Sequence, residues 1–189
     1  MTLTTTHIEE LLDKCRLGDQ RAQMVIYNKY YKAMYNTSLR IVKHEAEAED
    51  IMQESFLKAF TRLDSFQGTS TFGAWLKKIV VNRSINAYNK SSRFQEVSYT
   101  DQLKYAEDDA IGIDQQEEHQ NPKVRKLLNA MDDLKENYRI ALTLHLIEGY
   151  DHEEICEILE LDMSQVKVNL FRARNTVREK ITKIDAYGL

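Results

Sequence analysis

The residues that could do chemistry most directly are His152, Glu153 and Cys156. A histidine and a cysteine four residues apart lie on one side of a helix, and with the glutamate they imitate the H-E-x-x-H zinc motif. A third ligand is missing, and Glu154, three residues after Asp151, fits a capping box instead. Cys156 also falls among apolar residues at helical spacing. The sequence therefore predicts no metal, no cofactor and no enzyme, with a zinc pair as the less favoured alternative.

A second chemically distinctive set of residues is a basic stretch near the C-terminus. Ser164–Lys183 carries six basic side chains and one acidic one, whereas Glu148–Asp162 carries seven acidic side chains and no basic one. The whole chain is acidic, with a formal net charge of −4, which taken alone argues against a nucleic-acid binder. The basic stretch is nevertheless a local cationic surface.

The helices that position this stretch fit a helix-turn-helix. A ten-residue helix (Asp151–Glu160), a three-residue turn (Leu161–Met163) and a longer basic helix (Ser164–Lys183) have the lengths of that motif. The last helix has an apolar side with Val166, Leu170, Ala173, Val177 and Ile181, and a mixed side with Gln165, Val168, Phe171, Arg172 and Asn175. A plain helical hairpin with a solvated basic face is the alternative. The mixed side favours DNA, because apolar groups suit thymine methyls and arginine suits guanine or phosphate.

Composition predicts that the rest of the chain is helical as well. One proline and six glycines in 189 residues favour long uninterrupted helices, so the expected fold class is all-α with two small helical domains. No apolar run approaches the length of about 18 residues that a membrane span needs. The start of the chain lacks a secretory signal, so we expect a cytoplasmic protein. Cys15 and Cys156 are expected to be reduced and structural.

Four helices are expected in the first half of the chain. Thr6, with a glutamate three residues later, starts a short first helix, and Asp19 caps a second one that runs to about Val42. The third helix spans about Glu45–Leu63 and has an apolar face opposite an acidic one. A turn-rich loop, D-S-F-Q-G-T-S-T, separates it from a basic fourth helix that starts at Phe72. The tyrosines of the second helix are expected to pack in the core: Tyr27, Tyr30, Tyr31 and Tyr35.

The middle of the chain is acidic and lacks helical periodicity. Residues 91–122 hold eight acidic and two basic side chains, which is typical of a linker. Asn121 and Pro122 form an N-cap and first-turn pair, so a second domain is expected to begin there. Its first two helices are expected at about Pro122–Met131 and Asp133–Ile147.

Two segments of the chain resemble the domains of bacterial sigma factors of the ECF (extracytoplasmic-function) type. The segment AEAEDIMQESFLKAFTRLDSFQGTSTFGAWLKKIVVNRSINAYNK is similar to their N-terminal promoter-melting domain, and ENYRIALTLHLIEGYDHEEICEILELDMSQVKVNLFRARNTV is similar to their C-terminal DNA-binding domain. The resemblance implies a subunit that joins core RNA polymerase, recognises the minus-thirty-five and minus-ten elements of promoter DNA and helps to open the duplex. It implies an N-terminal domain at 1–93, an acidic linker at 94–121 and a C-terminal domain at 122–189. An anti-sigma factor is a further partner that the resemblance leaves open.

The resemblance also implies three sets of site residues. The acidic face of the third helix is expected to dock on the polymerase through Asp50, Gln53, Glu54 and Leu57, with a merely solvated acidic face as the alternative. The minus-ten strand is expected to meet Phe66, Gln67, Thr69 and Ser70 as the walls around a flipped base, with Lys78, Asn82 and Arg83 facing the DNA. The alternative is that Phe66 fills the core and that Arg83 is a solvated or salt-bridged side chain. The minus-thirty-five element is expected to meet Lys167 and Arg174 at its phosphates and Gln165, Val168, Phe171 and Arg172 at its base edges.

The linker of the family runs through the polymerase channel that later carries RNA. The resemblance therefore predicts that residues from about Asp101 to Glu118 mimic RNA there. The apolar contacts are expected from Leu103, Tyr105, Ile111 and Ile113. A plain disordered tether is the alternative, because acidic linkers are common for solubility alone.

The chain departs from the family pattern close to its expected reading surfaces. An asparagine, Asn86, stands where an acid is usual, Asn89 and Lys90 stand for a basic pair, and the start of the last helix reads Q-V-K-V-N-L instead of T-V-K-S-R-L. The resemblance therefore does not imply which promoter sequence the protein recognises. A free-standing repressor is a further alternative, but it needs a dimer interface, and no heptad follows Ile184 to form one.

Overall fold

The computed structural model describes the backbone of residues 3–97 and 122–187 and the side chains of residues 8–90 and 122–183. Apart from one short 3-10 turn, every regular element in these ranges is an α-helix, which confirms the predicted all-α class. The chain divides into two compact units, Met1–Ser98 and Tyr99–Leu189. The predicted RNA mimic, with Leu103, Tyr105, Ile111 and Ile113, lies outside the described residues.

The first unit is built around its second helix. Its elements are α1 (Leu3–Arg16), α2 (Gln20–Val42), α3 (Glu45–Thr61), a 3-10 turn (Leu63–Ser65) and α4 (Phe72–Val97). Helix α2 packs against α1, α3 and α4, and α3 also packs against α4. The core between them is apolar and includes Leu12, Ile26, Phe56, Leu76 and Val80. Packing against α2 thus fixes how the outer faces of α1, α3 and α4 are oriented within the unit.

Local signals in the sequence explain where α2 begins and what it buries. The Asp19 carboxylate accepts hydrogen bonds from the backbone N–H groups of Arg21 and Ala22, at 2.8 and 3.2 Å, as the predicted N-cap requires. The four tyrosines of α2 lie half-buried against the core, which confirms their predicted packing role. The rings of Tyr27 and Phe56, for example, have centroids 4.8 Å apart.

Two helix bounds of the first unit differ from the prediction. Helix α1 begins at Leu3 and not near Thr6, because no proline or glycine stops it from extending backwards. Helix α3 ends at Thr61, and Leu63, expected at its end, instead begins the 3-10 turn. That turn brings the Leu63 side chain into the core, where it is only 3% exposed. Burial of Leu63 therefore determines where the chain leaves α3 and the loop towards α4 begins.

The second unit is a four-helix arrangement around its last helix. Its elements are α5 (Pro122–Asp132), α6 (Glu136–Leu146), α7 (His152–Leu159) and α8 (Met163–Tyr187), and α8 packs against the other three. Helix α6 begins at Glu136 and not at the predicted Asp133. Leu134 is the reason, because it is buried in the turn before α6 and ties that turn to the core.

Helices α7 and α8 form the helix-turn-helix that the sequence predicts. Asp151 and Glu154 complete a capping box, which confirms the predicted start of α7. Glu160 adopts the left-handed conformation, with φ of 54°, and ends α7. The turn is therefore Glu160–Asp162, one residue earlier than predicted, since the Asp162 carboxylate caps α8 and lets it begin at Met163.

Candidate nucleic-acid interface

Helix α8 buries one side and exposes the other, as its apolar pattern predicts. Four residues of the predicted apolar side are buried, namely Val166, Leu170, Ala173 and Val177, and Ile181 is half-buried. This burial sets the rotation of α8 about its own axis. The opposite side of the helix is consequently held towards solvent.

The exposed side of α8 mixes cationic and apolar side chains. Lys167, Arg172 and Arg174 are exposed there, and between them lie Val168 and Phe171, which are 44% and 66% exposed. Most of the Phe171 ring is therefore not used for packing within the unit. The surface therefore offers positive charge for phosphates and apolar groups for base methyls.

Gln165 lies at the start of α8 and takes part in its cap. Its backbone N–H donates to the Asp162 carboxylate at 2.8 Å, and its side-chain Oε1 accepts from the Asp162 backbone N–H at 3.0 Å. The Ser164 hydroxyl also donates to Asp162, at 2.6 Å. The hydrogen bonds from Ser164 and Gln165 lower the pKa of Asp162 below its ordinary value. The Gln165 side-chain oxygen is thus engaged at the start of the helix.

Arg172 is tied to a neighbouring helix. Its Nη1 donates a hydrogen bond to the hydroxyl oxygen of Tyr138 in the first turn of α6, with 3.1 Å between the two atoms. This hydrogen bond raises the pKa of Arg172, whose guanidinium is charged in any case. The sequence analysis missed Tyr138, and no spacing pattern could have found it, because the contact joins two helices.

The loop before α4 is polar at its tip and aromatic at its base. Gln67, Thr69 and Ser70 are exposed, as the walls of a base pocket must be. Phe66 differs from them, since it is half-buried, with its ring centroid 5.8 Å from that of Phe72 and 5.4 Å from that of Trp75. The four predicted residues thus lie on one loop, and Phe66 is the one that also packs on the core.

Helix α4 presents the basic residues that were assigned to the minus-ten strand. Lys78 and Asn82 are exposed, and Arg83 is half-buried. The Arg83 guanidinium forms an ion pair with the Glu54 carboxylate of α3. Its Nε is buried without a hydrogen-bond partner, so one edge of the guanidinium is enclosed by the protein. Arg83 is therefore held at the contact between α3 and α4.

The acidic face of α3 lies opposite its buried face. Asp50, Gln53, Glu54 and Leu57 are all exposed, and Leu57 is 68% exposed despite being apolar. Gln53 donates a hydrogen bond from Nε2 to Glu49 of the preceding turn, at 3.1 Å. The ion pair of Glu54 joins two predicted sites that the sequence analysis treated separately, the polymerase face and the minus-ten face.

Comparisons with known proteins point to one family. Residues 26–94 match the family model of sigma-70 region 2, and residues 125–177 match that of sigma-70 region 4. The chain is 30% identical over 179 residues to the ECF RNA polymerase sigma-E factor of Salmonella typhimurium, across 90% of this chain and 92% of that protein. This chain belongs to the ECF sigma factors. It is also 29% identical over 186 residues to the RNA polymerase sigma-H factor of Pseudomonas aeruginosa, across 93% and 94% of the two chains.

Two solved structures share the fold of this sigma factor. The sigma factor RpoE in complex with the anti-sigma factor NepR from Bartonella quintana has a TM-score of 0.54 and 22% identity, over 86% of this chain and 97% of that one. CnrH in complex with the cytosolic domain of CnrY has a TM-score of 0.52 and 20% identity, over 93% and 96%. Family membership places the chain in RNA polymerase-associated transcription initiation, among non-catalytic regulators.

Among the side chains that the structure describes, His152 and Cys156 have no third metal ligand beside them. Glu154 is engaged in the capping box of α7, and Cys156 is half-buried. The ring of His152 lies 5.1 Å from that of His145, but within residues 8–90 and 122–183 no group of three or more potential ligands could hold a metal ion.

Across the helices described, none combines the length and the apolar character that a membrane span requires.

Proposed function

We propose that this sigma factor binds core RNA polymerase, recognises promoter DNA through both units and helps to open the duplex. The observation that carries the proposal is the exposed side of α8, where Val168 and Phe171 lie among three cationic side chains. In a helix-turn-helix the second helix enters the major groove, where such a mixture can contact phosphates, guanine edges and thymine methyls. Helix α8 is accordingly assigned to the minus-thirty-five element.

The residues of α8 divide by the DNA groups that they can contact. Lys167 and Arg174 are assigned to phosphates, which position the protein, and Val168, Phe171 and Arg172 to base edges, which specify the sequence. Gln165 also belongs to the base-reading set. Because its oxygen caps the helix, its amide nitrogen is the group left to donate to the DNA.

The loop before α4 is assigned to the minus-ten element. A strand that is to be opened needs a pocket for an unstacked base and a cationic surface for its backbone. Gln67, Thr69 and Ser70 supply the polar walls and the Phe66 ring supplies an aromatic floor. The backbone then meets the polar face of α4, where Lys78 and Arg83 are cationic and the Asn82 amide can donate a hydrogen bond.

The exposed face of α3 is assigned to core polymerase. Leu57 is an apolar side chain that water covers in the free protein, so it gains from burial in an interface. Asp50 and Glu54 surround it with negative charge that suits a basic partner, and Gln53 completes the face. The N-terminal domain at 1–93 thus has two roles, and the C-terminal domain at 122–189 reads DNA, with the linker at 94–121 between them.

An anti-sigma factor is included among the proposed partners. The Bartonella quintana sigma factor is in complex with such a protein, and CnrH is in complex with the cytosolic domain of CnrY. We extend this to the present chain on the basis of the shared family. The proposal also places its action in the cytoplasm, because ECF sigma factors act there with RNA polymerase.

Reconstituted run-off transcription tests the proposed function. Purified protein is added to core polymerase and genomic DNA fragments, and specific transcripts are expected only when both proteins are present. The matched control is the double variant Val168→Asp, Phe171→Asp, which should bind core but produce no specific transcript. If the chain instead dimerises, binds duplex DNA alone and does not join core polymerase, the repressor alternative is correct and the proposal is wrong.

A further inference from the structure

Arg172 is exposed to solvent but is not left to move freely. Its Nη1 donates to the Tyr138 hydroxyl at 3.1 Å, so the side chain crosses from α8 to the first turn of α6. An arginine carries five N–H donors in a planar fork, and this hydrogen bond uses one of them. The remaining donors, together with the full positive charge, stay available to a nucleic acid.

The group that accepts the hydrogen bond from Arg172 is a hydroxyl, and its lack of charge matters for DNA recognition. A hydroxyl is neutral, so it orients the guanidinium without cancelling the attraction to DNA. A long side chain that is already oriented also loses less rotamer freedom when it binds, which corresponds to about a threefold to tenfold gain in affinity. Bidentate recognition of guanine needs that orientation, because both N–H groups must point at the base edge together.

We propose that Tyr138 is a positioning residue for promoter recognition, whose hydroxyl holds Arg172 in the orientation that reads a base edge. The inference rests on the proposed function of α8 and names the group outside α8 that sets its specificity. Tyr138 lies in α6, which contributes no residue to the predicted reading surface. The hydrogen bond therefore makes base selectivity depend on one hydroxyl group outside the helix that reads the DNA.

Competition binding by the complete holoenzyme tests the inference. The probes are promoter fragments in which each position of the minus-thirty-five element carries each of the four bases. Tyr138→Phe, which removes only the hydroxyl, is expected to lower selectivity by about threefold to tenfold at the one position that Arg172→Ala affects. In the Arg172→Ala background, Tyr138→Phe is expected to change nothing, because the arginine that it positions is gone.

A matched control breaks a different link between the same parts of the unit. The Lys180 ammonium lies 2.9 Å from the Asp133 carboxylate and ties α8 to the turn before α6. Asp133→Asn weakens that tie without touching the Tyr138 hydroxyl. Selectivity should remain at the wild-type level in this variant. A loss equal to that of Tyr138→Phe would mean that any loosening of α6 against α8 is enough, which would overturn the inference.

The remaining outcomes separate this inference from the proposed function. If Arg172→Ala lowers selectivity at one position but Tyr138→Phe does not, Tyr138 has no positioning role and the proposed function of α8 stands. If Tyr138→Phe weakens binding equally in both backgrounds, the hydroxyl contacts DNA itself and the inference is wrong. If Arg172→Ala leaves selectivity unchanged, the assignment of Arg172 in the proposed function fails, and the inference fails with it.

A second measurement does not depend on DNA. Nitrogen-15 relaxation of the Arg172 Nε–H group reports its mobility on the picosecond to nanosecond timescale. The order parameter is expected to be higher in the wild-type protein than in Tyr138→Phe, and unchanged in Asp133→Asn. Equal mobility in the wild-type protein and Tyr138→Phe would show that the hydroxyl restrains nothing, which would also overturn the inference.

Discussion

The two units of this sigma factor each hold an arginine against a neighbouring helix, but with different groups. In the first unit the Glu54 carboxylate of α3 pairs with Arg83, and in the second the Tyr138 hydroxyl of α6 accepts from Arg172. A carboxylate orients the guanidinium and also neutralises it, whereas a hydroxyl only orients it. The charge of Arg83 is therefore masked in the free protein, and the charge of Arg172 is displayed.

The difference suits the two tasks that we propose. A helix that reads duplex DNA needs its cation available at first encounter, since charge steers association. A surface that meets DNA after the protein has joined polymerase gains from staying neutral until then. Glu54 lies on the face proposed to bind core, so a basic group of the polymerase can compete with Arg83 for its carboxylate.

The largest expected effect separates the base contacts of α8 from its phosphate contacts. Arg172→Ala should lower selectivity at one position of the minus-thirty-five element by about tenfold to a hundredfold, because a guanine edge loses its partner. Lys167→Ala is the matched control. It should weaken all promoters alike and flatten the salt dependence, because it removes a phosphate contact. Competition binding across base-substituted probes checks both, and a uniform loss in both variants would contradict the division of roles.

A second large effect tests the acidic face of α3. Reversing both charges, with Asp50→Lys and Glu54→Lys, should weaken binding to core polymerase by about tenfold or more, because like charges then meet. The control reverses two exposed acids of α1, Glu9→Lys and Glu10→Lys, with the same change in net charge. Binding is measured by titration with core polymerase, and circular dichroism confirms folding. Unchanged affinity in the α3 variant would remove this face from the polymerase interface.

A smaller effect tests whether Glu54 masks Arg83. Glu54→Gln keeps the shape of the side chain but releases the guanidinium charge, and a surface ion pair of this kind contributes little to stability. With core polymerase in excess, affinity for a minus-ten single strand should rise by about threefold, with a steeper salt slope by about 0.7. Tyr138→Phe, which removes no charge, should leave that slope unchanged. An unaltered slope in Glu54→Gln would show that the Arg83 charge is already available.

The smallest effect concerns the cap that starts α8. Hydrogen bonds lower the pKa of Asp162, so its stabilising effect is present above the ordinary value of 3.8 and is lost as pH falls through the lowered pKa. The thermal midpoint of the wild-type protein should therefore drop further in acid than that of Asp162→Asn. Asparagine also caps helices but does not titrate. Parallel pH profiles of the two proteins between neutral pH and about pH 3 would contradict the role of the Asp162 charge.

Much of the fold could be predicted from the sequence, because it depends on contacts between near neighbours in the chain. Asp19 caps α2 and Asp151 caps α7 as their spacing predicts. The buried side of α8 follows from a helical repeat of apolar residues, of which Val166 and Leu170 are examples. Such features need only the period of a helix and the hydrogen-bonding groups at its ends.

Two of the bounds that were wrong, the end of α3 and the start of α6, depend on burial in the finished core. Leu63 and Leu134 each lie near a helix end, and each is drawn inwards by the core and shapes the adjacent turn. Local helix propensity alone would include both residues in the adjacent helix. They lie in turns instead, because the free energy gained by burying a leucine outweighs the preference for a longer helix.

The sequence by itself determined the all-α class, the caps at Asp19 and Asp151 and the exposed mixed face of α8. Only the tertiary structure decided which groups hold the two arginines, since Tyr138 and Arg172 are 34 residues apart and Glu54 and Arg83 lie on different helices. It also decided that Phe66 packs on the core while Gln67 beside it stays exposed. The physical reason is that pairings between helices depend on crossing geometry and rotation, and these arise from the packing of all the buried faces at once.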